Sequence, residues 1–295
     1  MNWRRLKDWL ATKSMRLALA FANSVVLVIV IGLYIKGKPI LSQKSLTHLL
    51  FSSVWRPLKG EFGFYPFIIG TLEVTALAML LAVPICLLSA IYLSEYAHWR
   101  VREILRPVID LLAGIPSVIY GLWGVIVVVP LVQYLAQIAG HTTSGYSLLA
   151  GGIVLAIMVF PVIISVTTEI LLTVPVEARE AALALGATKW ETVKHVVLRS
   201  AMRGVLAAIV LGFARAFGET IAVLMVVGNV ARVPHSIFDA AYPLPALIAN
   251  NYGEMMSIPL YDSALMLSAL MLLVVVAVFN LGAHFTLSRI ERRSR

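Results

Sequence analysis

The chain has 295 residues, of which 60% are hydrophobic and only 13% charged, with a formal net charge of +9. That balance lies far outside the range of a soluble globular domain and marks an integral membrane protein. The single cysteine, Cys86, excludes an internal disulfide and any paired-cysteine metal or redox site, and reads as a packing residue.

Six apolar runs, near residues 17–35, 67–93, 106–139, 148–172, 204–228 and 261–287, each reach the roughly 20 residues that a helix needs to cross the hydrocarbon core. The expectation is an all-α integral membrane protein with six transmembrane helices. An anchor helix and external loop fill 1–66, and a membrane core spans 67–287 with a polar segment at 173–203. A basic tail at 288–295 completes the chain. Seventeen lysines and arginines fall in the segments on the N-terminal side of the membrane and six on the other, with Arg215 inside a span. By the positive-inside rule both termini are expected in the cytoplasm, although the first external loop holds five basic residues against that trend. The net charge is thus a topology signal, and no basic-aromatic module points to nucleic acid.

In chain order, the basic start MNWRRLK leads into an apolar run that ends at Tyr34-Ile35-Lys36-Gly37-Lys38 without a small-residue cleavage site. It reads as a retained anchor. Residues 36–66 are expected as a polar loop over the outer rim, with Trp55 and Tyr65 as exposed interfacial anchors. The second span carries Glu73 between Thr71 and Thr75, about 10 Å from its outer end by helical rise. An intramembrane carboxylate is a site candidate by default, but one this shallow also reaches interfacial water. Residues 104–139 would be about 50 Å long as one straight helix, more than a bilayer requires. A break is therefore expected among Gly114, Pro116, Gly121, Gly124 and Pro130, with Arg106 and Asp110 paired before it. Broken backbone at depth is tolerated where it lines a pathway or is enclosed by protein, so Gly114–Gly124 is either pathway lining or a packing kink. The fourth span contains Gly151, Gly152 and Pro161 and ends near Glu169, which is expected to face water.

Residues 173–203 predict two short amphipathic helices. Pro175 suits a first helical turn, Gly186 a left-handed C-cap, and Thr188 with Glu191 a capping box. Charged residues keep this segment out of lipid, while Ala181, Ala182, Leu185 and Trp190 give it an apolar stripe suited to a groove on another protein. The fifth span, 204–228, holds Arg215 and Glu219, four apart and so on one face of a continuous helix. A mid-bilayer arginine costs about 2.5 to 3.5 kcal/mol even on the mild insertion scale. Its forked guanidinium suits a tetrahedral oxyanion, and an ion pair with Glu219 is the structural alternative. Glu219 could also act as a switch that holds Arg215 until an anion arrives. Residues 229–260, with Pro234, Pro243, Pro245 and Pro259, read as a re-entrant or capping loop able to meet an external partner. The last span, almost uniformly apolar, reads as facing lipid or as scaffold for the bundle.

No G-x-x-x-x-G-K-[ST] loop occurs, since Gly37-Lys38 is followed by Pro39, and the six histidines are scattered. The chain is not expected to be an enzyme or to bind a cofactor or metal. If it works in an ATP-driven machine, a separate subunit hydrolyses the nucleotide.

Glu180-Ala181-Ala182, three residues and then Gly186 resemble the EAA loop with which permeases of ABC importers dock on their ATPase. Where that family continues with I-x-L-P, this chain has Val196, Leu198 and Arg199, without the proline. The run GFARAFGETIAV followed by GN, together with LLAGIPSVIYGLWG and LPALIANNYGE, resembles the permeases of phosphate importers, the C-type more than the A-type. The resemblance extends from about residue 60 to the C-terminus. It implies a type I ABC-importer permease fold (MetI-like) in the bacterial inner membrane, forming half of the path of an ATP-driven phosphate importer. The implied partners are a homologous second permease, an ATPase dimer and an extracytoplasmic phosphate-binding protein. The implied substrate-pathway residues are Arg215, Glu219, Thr220, Ser117 and Tyr120, and the implied ATPase-coupling residues are Glu180, Ala181, Ala182, Gly186 and Trp190. A permease for another oxyanion, such as sulfate or molybdate, remains open, as does a secondary transporter or channel. The latter would leave the 175–199 double helix without a purpose.

Overall fold

The computed structural model describes residues 3–254 and 258–293; residues 1–2, 255–257 and 294–295, including the end of the basic tail, lie outside the described residues. Among the described residues six helices are long and apolar enough to cross a membrane, as the hydropathy pattern requires. Three of them are rods in which α-helical segments run on through a wider, π-helical turn.

The first helix, α1 (Trp3–Gln43), runs well past the expected 17–35 and takes in Pro39, so the loop begins later than its polarity suggests. Helix α2 (Leu46–Phe51) and a two-stranded hairpin, β1 (Trp55–Arg56) with β2 (Glu61–Phe62), fill the rest of that loop. Trp55 is not an exposed membrane anchor. Its ring lies 4.9 to 6.1 Å from those of Phe62, Phe64, Phe67 and Tyr261, because burying a large aromatic body against other rings removes more apolar area than an interface would.

Helix α3 (Tyr65–Ile91) continues through a π turn, Tyr92–Tyr96. Next, α4 (Trp99–Gly114) and α5 (Ser117–Trp123) are separated at Ile115–Pro116, both extended. Proline disfavours helical backbone in the residue before it, which places the break. The expected third span is thus two objects: an amphipathic helix with no buried side chain, α4, and a membrane rod, Ser117–Ile138, made of α5, a π turn (Gly124–Val128) and α6 (Val129–Ile138). The helix runs on through Gly121, Gly124 and Pro130.

Helix α7 (Leu148–Leu172) is the most buried span and packs chiefly on α3 and on α10 (Leu198–Gly218). Between α7 and α10 come α8 (Val176–Ala184), α9 (Lys189–Thr192) and a π turn (Val193–Val197). The second amphipathic helix does not end before the membrane span: α9 to α10 form one rod, Lys189–Gly218, as the missing proline permits. The expected fifth span then breaks at Glu219–Thr220 before α11 (Ile221–Val226). Residues 229–243 are irregular, and α12 (Leu244–Asn251) inserts Leu244, Pro245, Ala246 and Leu247 into the protein as a re-entrant helix. Helix α13 (Tyr261–Arg293) closes the fold against α1, α10 and α12.

Three apolar clusters follow α3 along its length. One, around Phe62, Phe64 and Phe67, joins α1, α12 and α13 at its start; the second, around Ala78, Ala82 and Val154, fills the middle; the third, around Ile91, Leu171 and Val197, lies at its end. In the middle cluster Gly124 lets α5 approach both α7 and α11. A Cβ there would lie 2.7 Å from Val154 Cγ2 and 2.9 Å from Val226 Cγ1. Gly124→Ala should therefore destabilise the protein in detergent by about 1 to 3 kcal/mol through overpacking. Adding Val154→Ala should recover part of that loss, and thermal unfolding of the two variants provides the check; an unchanged midpoint for Gly124→Ala would refute the close fit.

Candidate functional site: two helix breaks and a docking turn

The breaks at Ile115–Pro116 and Glu219–Thr220 begin α5 and α11, and these two short helices pack on one another. Glycine makes that approach possible, since a Cβ on Gly121 would lie 3.2 Å from Ala222 Cα. Each break is stitched by a side chain. The Tyr120 hydroxyl donates to Leu112 O at 2.8 Å, tying α5 back to α4 across the gap. The Glu219 carboxylate accepts from Ala222 N at 3.1 Å and so closes an open donor in the first turn of α11.

The expected Arg215–Glu219 ion pair is not formed. The helix that would hold the two four residues apart on one face ends at Gly218, and Glu219 turns to extended backbone. Glu219 borders a small internal crevice with Thr71 and Thr75, whereas Arg215 stands exposed on the surface of the chain. Tyr120 packs in the same buried cluster as Ala216, the residue next to Arg215. The depth of Arg215 follows from Gly212, whose Cβ position lies 2.6 Å from Ile163, near the middle of α7. Thr220 Oγ1 contacts Gly218 O at 3.5 Å, and Ser117 opens α5. The structure thus brings Arg215 and Tyr120 close, places Glu219 and Thr220 in the second break, and sets Ser117 at the edge of the first. Glu73 stands apart from them, half-buried on α3, with a buried Oε2 that has no hydrogen-bond partner.

Arg106 also chooses a different partner from the one expected. It pairs with Glu169 on α7 rather than Asp110 on its own helix, and Glu169 stays exposed, as expected of it. The pair lines a cavity of about 190 Å³ with Arg102, Asp110, Ser165 and Thr168.

The turn between α8 and α9 has the geometry that its sequence pattern predicts. Gly186 has φ +88°, the left-handed cap that only glycine adopts without strain, and Thr188 and Glu191 form the reciprocal capping box. Ala181, Leu185 and Trp190 are exposed, Leu185 almost completely at 89%. Arg179 is the residue the sequence reading missed. Its side chain is only 17% exposed and grips Glu95 at the end of α3 through two parallel bonds of 2.8 and 3.1 Å. The sole local signal was its position beside Glu180; the partner lies 84 residues away.

A family model for binding-protein-dependent transport system inner membrane components matches residues 82–295. The chain belongs to that family. The permease is 38% identical over 270 residues to the probable ABC transporter permease protein YqgH of Bacillus subtilis, covering 91% of this chain and 86% of that one. It is 35% identical over 309 residues to the phosphate transport system permease protein PstC of Xylella fastidiosa, covering 98% and 94%. A probable PstC of Methanocaldococcus jannaschii is 30% identical over 94% of this chain and 93% of its own. Among solved structures, the bacterial alginate ABC transporter in complex with its alginate pentasaccharide-bound periplasmic protein superposes with TM-score 0.63 at 17% identity, covering 98% and 97% of the two chains. The inward-facing MetNI methionine ABC transporter does so with TM-score 0.58 at 19% identity, over 77% and 97%. The fold is therefore that of ABC-importer permeases, as expected, and the permease is a multi-pass inner-membrane protein.

Because Glu219 serves α11 and not Arg215, the two charges should act independently on stability. In a cycle of Arg215→Gln, Glu219→Gln and the double variant, the interaction energy from unfolding in detergent should stay below about 0.5 kcal/mol. A coupling of several times that size would restore the ion pair.

Proposed function

We propose that the permease forms half of the translocation path of an ATP-driven phosphate importer. The observation that carries the substrate is its full-length likeness to permeases named for phosphate transport. The site supports the same reading. An exposed guanidinium at mid-depth beside a helix break is a permanent, forked cation suited to a tetrahedral oxyanion, and among the described residues none forms an ion pair with it. Arg215 then meets the anion, Tyr120, Ser117 and Thr220 offer hydroxyls along the path, and Glu219 sets the geometry of the break. A second, homologous permease completes the path, an ATPase dimer receives the turn at 173–203, and an extracytoplasmic phosphate-binding protein delivers the substrate to the opposite end. Both termini and the docking turn face the cytoplasm in this arrangement. Hydrolysis of ATP belongs to the partner subunit.

The test is uptake of radiolabelled phosphate by cells that lack this chain, with and without it restored. Restoration should return uptake, and Arg215→Gln should abolish it while the protein still inserts and binds its ATPase. Arg215→Lys should rescue poorly, because the fork is lost. Normal uptake by Arg215→Gln would remove Arg215 from the path, and sulfate or molybdate uptake in place of phosphate would change the substrate.

Leu185 provides an independent test of docking. Since its side chain is almost fully exposed, Leu185→Asp should leave the permease's own stability within about 0.5 kcal/mol and yet strip the ATPase from it in a pull-down. Gly186→Leu should do the same through a strained left-handed residue. Retention of the ATPase by both variants would place the interface elsewhere.

A further inference from the structure

The docking helix α8 has no buried side chain, so apolar packing does not key it to the membrane helices. Besides its contacts with α9 and the π turn that follows α9, one guanidinium ties it to α3 and α7. Arg179 Nε donates to Glu95 Oε2 at 3.1 Å and Nη2 to Glu95 Oε1 at 2.8 Å. Nη2 also donates to Leu171 O at 2.8 Å, and Nη1 donates to Val174 O. Leu171 lies in the last turn of α7, whose carbonyls have no intrahelical donor, so the charge also meets the negative end of that helix. A single side chain on the docking helix thus grips α3 and α7, the two helices that pack most extensively on each other.

The receiving segment is itself gripped from other sides. Residues 92–96 form the π turn at the end of α3. Arg102 donates from α4 to Leu93 O at 2.9 Å and to Ser94 O at 2.8 Å. Lys189 of α9 sits 4.5 Å over the Tyr96 ring. Three cations from three elements therefore converge on five residues, and Glu95 is 8% exposed at their centre. Of the three, only Arg179 lies on the docking helix α8, and it bonds α7 as well as the end of α3.

We propose that the Arg179–Glu95 pair is the link through which movement of the docking helix is passed to α3 and α7. A bidentate pair that is mostly shielded from water resists both sliding and rotation, whereas a lysine at the same place would supply a point charge free to pivot. Arg179 is in this sense a positioning residue: it touches neither the substrate nor, from its burial, the ATPase groove.

The proposal rests on the ATP-driven reading above but not on the identity of the cargo, and the experiment keeps the two apart. The complete complex, with its ATPase, second permease and binding protein, is reconstituted in vesicles on a Cys86→Ala background with a spin label at Leu88→Cys, an exposed position on α3. Phosphate moved per ATP hydrolysed and the ATP-dependent displacement of the label are measured for the unaltered pair, Arg179→Lys and Glu95→Gln. In the unaltered complex ATP should shift the label. Both variants should still bind the ATPase and hydrolyse ATP, with the label shift lost and phosphate per ATP reduced about five-fold or more. A label that ATP does not move in the unaltered complex, or one that moves equally in both variants, overturns the link. Loss of assembly in both variants does so too, since the pair is then a folding contact. A label that responds as expected in a complex that moves no phosphate would instead sink the cargo assignment and leave the link standing.

Discussion

A helix broken at membrane depth leaves backbone donors and acceptors that lipid cannot satisfy, and the protein must close them itself. This constraint decides the geometry around the candidate site. At Ile115–Pro116 the closing group is the Tyr120 hydroxyl on Leu112 O; at Glu219–Thr220 it is the Glu219 carboxylate on Ala222 N. The second closure has a consequence for charge. A carboxylate committed to a backbone N–H inside the protein is turned away from the arginine one turn before it, so the need to cap α11 is what leaves Arg215 without its sequence neighbour. The two breaks then lie together because Gly121 allows α5 and α11 to touch almost backbone to backbone.

The two ends of the bundle are held by different physics. At the start of α3, Trp55 meets four other rings, the Tyr242 hydroxyl accepts from Asn250 and Asn251 at 3.0 and 2.8 Å, and Leu244 N donates to Thr71 Oγ1 at 2.8 Å. Close-packed rings and saturated polar groups make a stiff cap, because any shift forfeits many contacts at once. At the other end α8 is attached by charge-assisted bonds and carries its apolar side chains outward, which leaves it free to bind a partner and still be connected. Directional bonds of this kind can move as a unit without unpacking a core, which is what the proposed link requires.

What could be read in the sequence follows from which interactions are local. Span number came from apolar runs, the docking turn from Gly186 and the Thr188–Glu191 spacing, and the first break from Pro116, each a matter of a few neighbouring residues. The misreadings come from judging by neighbouring residues where a helix ends and which charges pair. Arg106 passes over Asp110 for Glu169, 63 residues away, and Arg179 finds Glu95 across 84. Such partners are set by how α3, α4, α7 and α8 meet, which no periodicity encodes. The second break was missed because Gly218 reads as an ordinary small residue in a membrane helix, where glycine is common. The long reach of α1 and the packing of Trp55 depend likewise on α13, more than two hundred residues on.

The face that carries Arg215 has its own logic. Close to it, α5 exposes Val118, Ile119, Leu122 and Trp123, a surface apolar enough for lipid. Yet a guanidinium facing lipid at that depth would cost about 2.5 to 3.5 kcal/mol on the mildest scale, and no ion pair among the described residues offsets it. The apolar residues and the arginine are compatible only if the face is covered by protein along part of its width and opens to a polar path along the rest. In the proposed reading a second permease does the first and the anion's path the second. In the same reading Glu219 can be given to the backbone, because the charge of Arg215 is answered by the anion that passes through.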